Sequence, residues 1–385
     1  FLCKNDPMRF YGKPIVELTN NQLEIFSLGL SYKHVIEDGK NPPANVTNNI
    51  DKLVDWYESS GGQSSSKTED GQKDGATVMG ATAHELDAMV GGGKNVVDLA
   101  IVAVLCKGHI LAEDVPGIGK TTLARALAGA LECTFGRIQF TPDLMPSDVL
   151  GINWFNQKKH EFEFRKGPVF SQIVLADEIN RATPRTQSSL LEAMQEGQVT
   201  LDGETRLLPE PFTVIATQNP IDMEGTFPLP EAQLDRFMLR LGMGYPSMEE
   251  EEAIVLRFSA KENLPDQKPA INTKELLALQ AEVSNVTVED EMRRYVMNII
   301  RISRENERVT LGGSPRSSIA LFKASQAQAA IAGRDFVIPD DVKYLAEPVL
   351  AHRIIPTSNA RLRGYSQSSI VADIVSSVPV PIERE

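Results

Sequence analysis

Three short apolar runs that end in polar residues constrain this chain most: "HILAED" at 109–114, "VLADE" at 174–178 and "FTVIATQN" at 212–219. A strand that is apolar at successive positions is buried on both faces. Stretches of helical periodicity separate the runs, and strands alternating with helices predict a parallel sheet covered on both sides. After Pro246 no further strands are expected. "EEEEAIVLRF", "TKELLALQAEV", "EDEMRRYVMNIIRISREN", "SIALFKASQAQAAIAG" and "PDDVKYLAEPVLAHRI" all read as helices. Met292, Tyr295, Val296, Ile299 and Ile300 fall on one helical stripe, as do Val342, Leu345, Ala346, Val349 and Leu350. Pro339 and Asp340 mark a helix start.

Ahead of this lies "ESSGGQSSSKTEDGQKDGAT", a linker at 58–77 almost devoid of apolar residues. The organisation expected is a small helical module at 1–57, a linker at 58–78, an α/β domain at 79–245 and a helical domain at 246–385. Within 1–57, "NNQLEIFSLGLSYKHVI" and "NIDKLVDWYE" read as helices, and the module carries no catalytic signature. The chain opens on Phe1, which reads as an excerpt or a processed product with Met8 and Met79 as candidate starts. With 385 residues and a net charge of -13, the chain can build a large core but is a poor non-specific binder of nucleic acid or anionic membrane. No apolar run is long enough to span a bilayer. Three cysteines without a CxxC pair read as thiols in a reducing compartment, which points to the cytoplasm. The five histidines show no metal-ligand spacing.

"PGIGKTT" at 116–122 joins a strand to the helical "LARALAGAL". Backbone N–H groups and the helix dipole converge on an anion in such a loop. Pro116, Gly117, Ile118, Gly119, Lys120, Thr121 and Thr122 are the candidate nucleotide-binding residues. Lys120 would reach the β- and γ-phosphates of ATP, and Thr121 would ligate Mg²⁺. Asp114 stands where G-x-x-x-x-G-K-[ST] has its first glycine. Adjacent carboxylates at a buried strand end are costly without a cation or water to hold. Asp177 would act through Mg²⁺ and its water, and Glu178 would polarise the attacking water. Asn219 would hold that water or sense the γ-phosphate.

The order of lysine loop, Asp-Glu strand, Asn strand and helical domain resembles the AAA+ ATPases, and in detail the MoxR family. "GHILAEDVPGIGKTTLARALA", "RIQFTPDLMPSDVLG", "FRKGPVFSQIVLADEINRATPRTQSSLLEAMQEGQVT", "VIATQNPIDMEGTFPLPEAQLDRFML" and "SPRSSIAL" carry the resemblance, which covers roughly residues 84–356. That family tolerates Asp at the first loop position. "MVGGGKN" at 89–95 departs from the expected Val-Gly-Gln near the adenine pocket.

The resemblance implies an AAA+ parallel-sheet ATPase domain with an insertion hairpin in its second helix, followed by a helical lid. It implies Arg236 as an arginine finger acting on a neighbouring subunit and Arg316 as a lid sensor, in cis or in trans. It also implies a hexameric ring that remodels a client protein, with a separate von Willebrand factor A domain protein as partner. "INWFNQ" and "EFEFRKG" alternate as the hairpin should, facing a central pore. Trp154, Phe155, Phe162 and Phe164 are expected to pack within it, with a client grip as the alternative. Arg181 and Arg185 either line a solvated helix face, the reading favoured, or contact a neighbour's nucleotide. The other functional classes are a nucleic-acid motor, for which "QKKHEFEFRK" is the one basic spot, and a nucleotide-gated scaffold with little turnover.

Overall fold

A computed structural model describes residues 9–10, 13–14, 94–113, 119–219, 226–245, 248, 251–252 and 269–381. The chain divides into two compact units, Phe1–Gln72 and Lys73–Glu385. The first shows an antiparallel pair, Arg9–Phe10 with Lys13–Pro14. The two helices expected within 1–57, most of "EEEEAIVLRF" and the Gly-rich part of "MVGGGKN" lie outside the described residues.

The second unit begins with α1 (Lys94–Leu105), β1 (Ile110–Glu113), α2 (Lys120–Ala130) and β2 (Phe135–Gln139). It continues through α3 (Pro146–Leu150), β3 (Gly151–Asn156), β4 (Glu161–Lys166), β5 (Ile173–Asp177) and α4 (Pro184–Glu196). Then come β6 (Gln198–Leu201), β7 (Glu204–Leu207), β8 (Thr213–Gln218), α5 (Glu231–Leu234) and β9 (Leu239–Leu241). The lid comprises α6 (Thr273–Val283), α7 (Asp290–Glu305), β10 (Val309–Leu311), α8 (Pro315–Ile331), α9 (Pro339–Leu350), β11 (Ile355–Pro356), α10 (Ser358–Leu362) and α11 (Gln367–Ser377).

The five main strands pair in parallel in the order β9-β1-β8-β5-β2. Their period of two divides the apolar runs between two cores. Ile110, Ile173, Leu175 and Ile215 face α1, α2 and the lid helices, whereas Leu111, Val174, Ala176, Val214 and Ala216 face α4 and its neighbours. The three inner strands β1, β8 and β5 are buried on both sides, so their continuous apolar runs follow from the packing. From β1 the chain crosses toward β2, and from β8 it runs back toward β9. Strand order therefore reverses beside β1, and the crevice outside the carboxyl ends of the strands is the expected ligand position.

Both predicted lid stripes are buried along their whole length. Pro339 opens α9, and Asp341 accepts the N–H of Ile338 at 2.9 Å. The expectation that no strand follows Pro246 needs correction, because β10 and β11 pair antiparallel within the lid. β11 is only two residues long, too short to leave an alternation in sequence.

The lid is tied to the strand layer through Arg353. Its Nη2 donates to Phe237 O at 2.7 Å and its Nη1 to Met238 O at 3.1 Å, while Nε lies 3.1 Å from Asp235 Oδ1. Burial pushes this guanidinium down to about 10, opposed by Asp235, so it stays charged at neutral pH. Asp235 also accepts from Ser314 Oγ at 2.9 Å, and Ser314 caps α8 through the N–H of Arg316.

Two hairpins leave the layered core. β3 and β4 pair antiparallel from Gly151↔Lys166 to Asn156↔Glu161, as the alternation predicts. β6 and β7 form a second hairpin that the sequence reading passed over. Its turn residues Asp202 (φ 51°) and Gly203 (φ 83°) both have positive φ, as a two-residue type I′ turn demands. "DG" between short β-prone runs was the available signal. The hairpins are joined: Asn153 Nδ2 donates to Asp202 Oδ2 at 2.7 Å, and the Arg206 guanidinium stacks 4.1 Å from the centre of the Phe164 ring.

Candidate nucleotide site

The carboxyl edge of the sheet gathers most of the predicted residues. Gly119 caps α2 in a left-handed conformation (φ 92°), which glycine adopts without a Cβ clash. Lys120 is the first residue of α2, and Thr121 and Thr122, both partly exposed, follow in its first turn. Unpaired N–H groups of a first helical turn point at whatever anion sits before it. Pro116, Gly117 and Ile118 lie outside the described residues.

Asp177 ends β5 and Glu178 follows it with φ 56° and ψ 50°. A glutamate in this region costs about 1 kcal/mol relative to ordinary backbone, and such residues concentrate at functional sites. Thr217 holds both acids. Its hydroxyl donates to Asp177 Oδ1 at 2.8 Å and accepts the N–H of Glu178 at 2.8 Å. The Glu178 loop is fixed from behind by fully buried Gln187, whose Nε2 donates to Ile179 O, Ala182 O and Phe227 O.

A second layer comes from β2. Gln139 sits beside Asp177 in the parallel register, and Arg137 lies two residues back on the same face. Arg137 Nη2 donates to Asp177 Oδ2 at 2.7 Å and to Gln139 Oε1 at 2.8 Å. Gln139 Nε2 donates to Glu178 Oε2 at 3.2 Å. Arg181 Nε lies 3.1 Å from the same Glu178 oxygen. The favoured reading of Arg181 is therefore corrected: it stands in a 3-10 turn beside the acid, not on a solvated helix face. Arg185 is exposed in the first turn of α4.

Asn219 follows β8, and its carbonyl accepts from Asn180 Nδ2 at 3.4 Å. Among the described residues the buried Nε2 of neighbouring Gln218 has no partner, a donor at the carboxyl edge of the sheet able to serve a ligand oxygen or water.

Arg236 and Arg316 meet elsewhere. Both line a cavity of about 200 Å³ together with Lys323 and Arg353. Among the described lining residues Asp235 is the only acid, and Arg353 already pairs with it. The surplus positive charge suits an anion. Arg236 Nη1 donates to Leu191 O at 2.7 Å. Lys120, Asp177 and Glu178 are not among the residues lining this cavity.

Sequence reasoning missed Thr217, Arg137 and Gln139. Thr217 shares a face with Ile215 and is 2% exposed, so a hydroxyl there needs a partner. In "FGRIQF" polar Arg137 and Gln139 alternate with buried Gly136 and Ile138, so both fall on one face of the strand, the one available signal. Two histidines are structural. His109 Nδ1 accepts the N–H of Val214 at 3.0 Å, which leaves Nε2 to donate to Met194 O at 2.9 Å, and burial pushes the imidazole down to about 4. His352 is also held well below the ordinary range by burial and by the adjacent Arg353. Among the described residues no three His, Cys, Asp or Glu side chains converge as a metal cluster, and no helix is long and apolar enough to cross a membrane.

Residues 109–239 match the ATPase family associated with various cellular activities, and residues 301–374 match the AAA lid domain. The uncharacterised protein YeaC of Bacillus subtilis is 48% identical over 313 residues, covering 81% of this chain and 98% of that protein. Chaperone MoxR1 of Mycobacterium tuberculosis is 38% identical over 341 residues, covering 84% of this chain and 90% of MoxR1. A crystal structure from Cytophaga hutchinsonii, of a protein assigned as an ATPase, aligns with TM-score 0.73 and 37% identity over 80% of this chain and 97% of its own. A helix that opens on Lys120, paired carboxylates at a strand end of the sheet, a lid after the sheet, and relatives matched over nearly their whole length all lead to one assignment: the chain belongs to the MoxR family of AAA+ ATPases.

Proposed function

We propose that this ATPase works as a ring of six copies and that it hydrolyses Mg²⁺-ATP between neighbours to remodel or mature a partner protein. The observation that carries this reading is that Arg236 and Arg316 line one cavity that the carboxylates do not line. Their cavity has surplus positive charge and a described lining without Lys120, Asp177 or Glu178. Two half-sites of this kind complete one another when the cavity of one copy meets the phosphate loop of the next. Arg236 then acts as a finger in trans, and Arg316, on the same cavity, acts on the same neighbour.

Within one copy, the loop around Gly119 and the first turn of α2 bind the phosphates, with Lys120 on the β- and γ-oxygens. Mg²⁺ fits the donor set, since the Thr121 hydroxyl and the Asp177 carboxylate are hard oxygens and Thr217 fixes the orientation of Asp177. When bound, the ion neutralises phosphate charge. Glu178 takes the proton of the attacking water, and Asn219 positions that water or senses the γ-phosphate.

The chaperone name of the Mycobacterium relative supports a client protein, as do the hairpin aromatics. The Phe155 and Phe162 rings meet at a tilt of 60° with centroids 5.2 Å apart, yet Phe162 is 74% exposed. Packing within the hairpin thus leaves surface for a client, with a von Willebrand factor A domain protein as the expected partner. A net charge of -13 disfavours nucleic acid. Free Cys106 and Cys133 suit a reducing compartment, the cytoplasm. Residues 79–245 supply the ATPase core, 246–385 the lid, and 1–57 a separate module joined through 58–78.

Single-site variants test the assignment. Lys120→Ala should abolish ATP binding. Glu178→Gln keeps the shape but loses the base, so ATP should bind and persist. Normal turnover in Glu178→Gln would refute its role as base, and stimulation of the wild-type ATPase by single-stranded DNA would favour the motor reading.

A further inference from the structure

We propose that Arg137 sets the divalent-cation requirement of this site by competing with the cation for the Asp177 carboxylate. The proposal rests on the reading of Asp177 as the carboxylate beside Mg²⁺.

Geometry isolates one oxygen. Asp177 Oδ1 is taken by the Thr217 hydroxyl, and Oδ2 receives Arg137 Nη2 at 2.7 Å. Arg137, Gln139, Asp177 and Thr217 share the face of the sheet on which α2 packs, because Phe135, Ile173, Leu175 and Ile215 on that face join the core with Leu123 and Leu127. Any cation that Asp177 holds, directly or through a water, comes close to the guanidinium. Two positive groups then depend on one carboxylate, and their repulsion weakens the bound cation.

A purely structural role explains the pair less well. The side chain of Arg137 is 45% exposed, and ion pairs that open to solvent add little to stability. Nor does Arg137 fill a core: it stands on the edge strand of the sheet, at an exposed position. Gln139 completes the arrangement by accepting from Arg137 and donating to Glu178, so the guanidinium is held in place from two sides. Arg137 is thus a positioning residue, acting through Asp177.

The test uses binding of a non-hydrolysable ATP analogue by the full chain, followed by calorimetry across a Mg²⁺ series and in EDTA. Arg137→Gln and Arg137→Met should reach half-maximal enhancement of binding at roughly three- to tenfold lower Mg²⁺, the size expected of one partly screened charge. Arg137→Lys, which keeps the charge, should stay near wild type. Affinity in EDTA should not change. An unchanged or higher Mg²⁺ requirement in both neutral variants would overturn the proposal, as would lost affinity in EDTA, which would make Arg137 a phosphate ligand. Asp177→Asn separates the two levels. If it weakens the Mg²⁺ dependence while the Arg137 variants do nothing, only the proposal fails. If Asp177→Asn leaves that dependence intact, the metal reading fails and takes the proposal with it.

Discussion

Thr217 illustrates how one side chain fixes two acidic residues to which the proposed mechanism assigns the chemistry. Its hydroxyl donates to Asp177 and accepts from the N–H of Glu178, so the acid pair and the strained backbone between them share a single anchor. Thr217→Val keeps the shape and removes both bonds, leaving Asp177 and the Glu178 N–H short of a partner. The expected outcome is a fall in kcat of about 10- to 100-fold, the range seen when an outer partner of a reactive group is lost, with ATP binding retained. Thr217→Ser should recover much of the rate. Steady-state ATPase assays beside nucleotide titration check this, and a Val variant with wild-type kcat would show that the anchor is not needed. The carboxylates themselves were legible because two acids ending an apolar strand demand a cation or water. Thr217 was not, because threonine is an ordinary strand residue and only its neighbours across the sheet reveal its partners.

At the level of elements, the parallel sheet and the lid helices could be read from periodicity, since buried strands and amphipathic stripes each impose a pattern. The first hairpin was legible for the same reason. The second went unread because β6 and β7 are four residues each, too short for alternation to stand out without attention to Asp202-Gly203. The joint between lid and sheet was equally hidden: nothing local to Arg353 announces that its partners lie near residue 237. That joint should be expensive to break. Arg353→Ala would leave Asp235 charged without its partner and strip donors from the carbonyls of Phe237 and Met238. Removing one member of a buried pair costs about 3–5 kcal/mol, and Asp235 is 18% exposed, which places the expectation nearer about 3 kcal/mol. Arg353→Lys should also be destabilised, because an ammonium cannot match the fork of donors. Urea unfolding followed by circular dichroism measures both, and a midpoint unchanged in Arg353→Ala would show that the lid is held by apolar packing alone.

At the scale of the whole molecule, Arg236 and Arg316 line a cavity whose described lining includes neither Lys120 nor the Asp177–Glu178 pair, and assembly is the test of the proposed mechanism. If Arg236 completes the site of a neighbour, activity per subunit should rise with protein concentration, because dilution parts finger from nucleotide. Arg236→Ala should lose hydrolysis while keeping ATP binding, since a finger acts mainly on charge that develops in the transition state. The loss should be large, on the order of 10³-fold. Arg236 also donates to Leu191 O, so circular dichroism should accompany the assay to show that α4 is intact. Mixing Arg236→Ala with Lys120→Ala gives the sharpest outcome. Neither variant alone has a working interface, yet a mixed ring contains some in which an intact Lys120 meets an intact Arg236, and partial activity should return. Variants that co-assemble but recover nothing would mean that Arg236 acts within its own subunit or not at all. Full activity in a strictly monomeric enzyme would remove the ring.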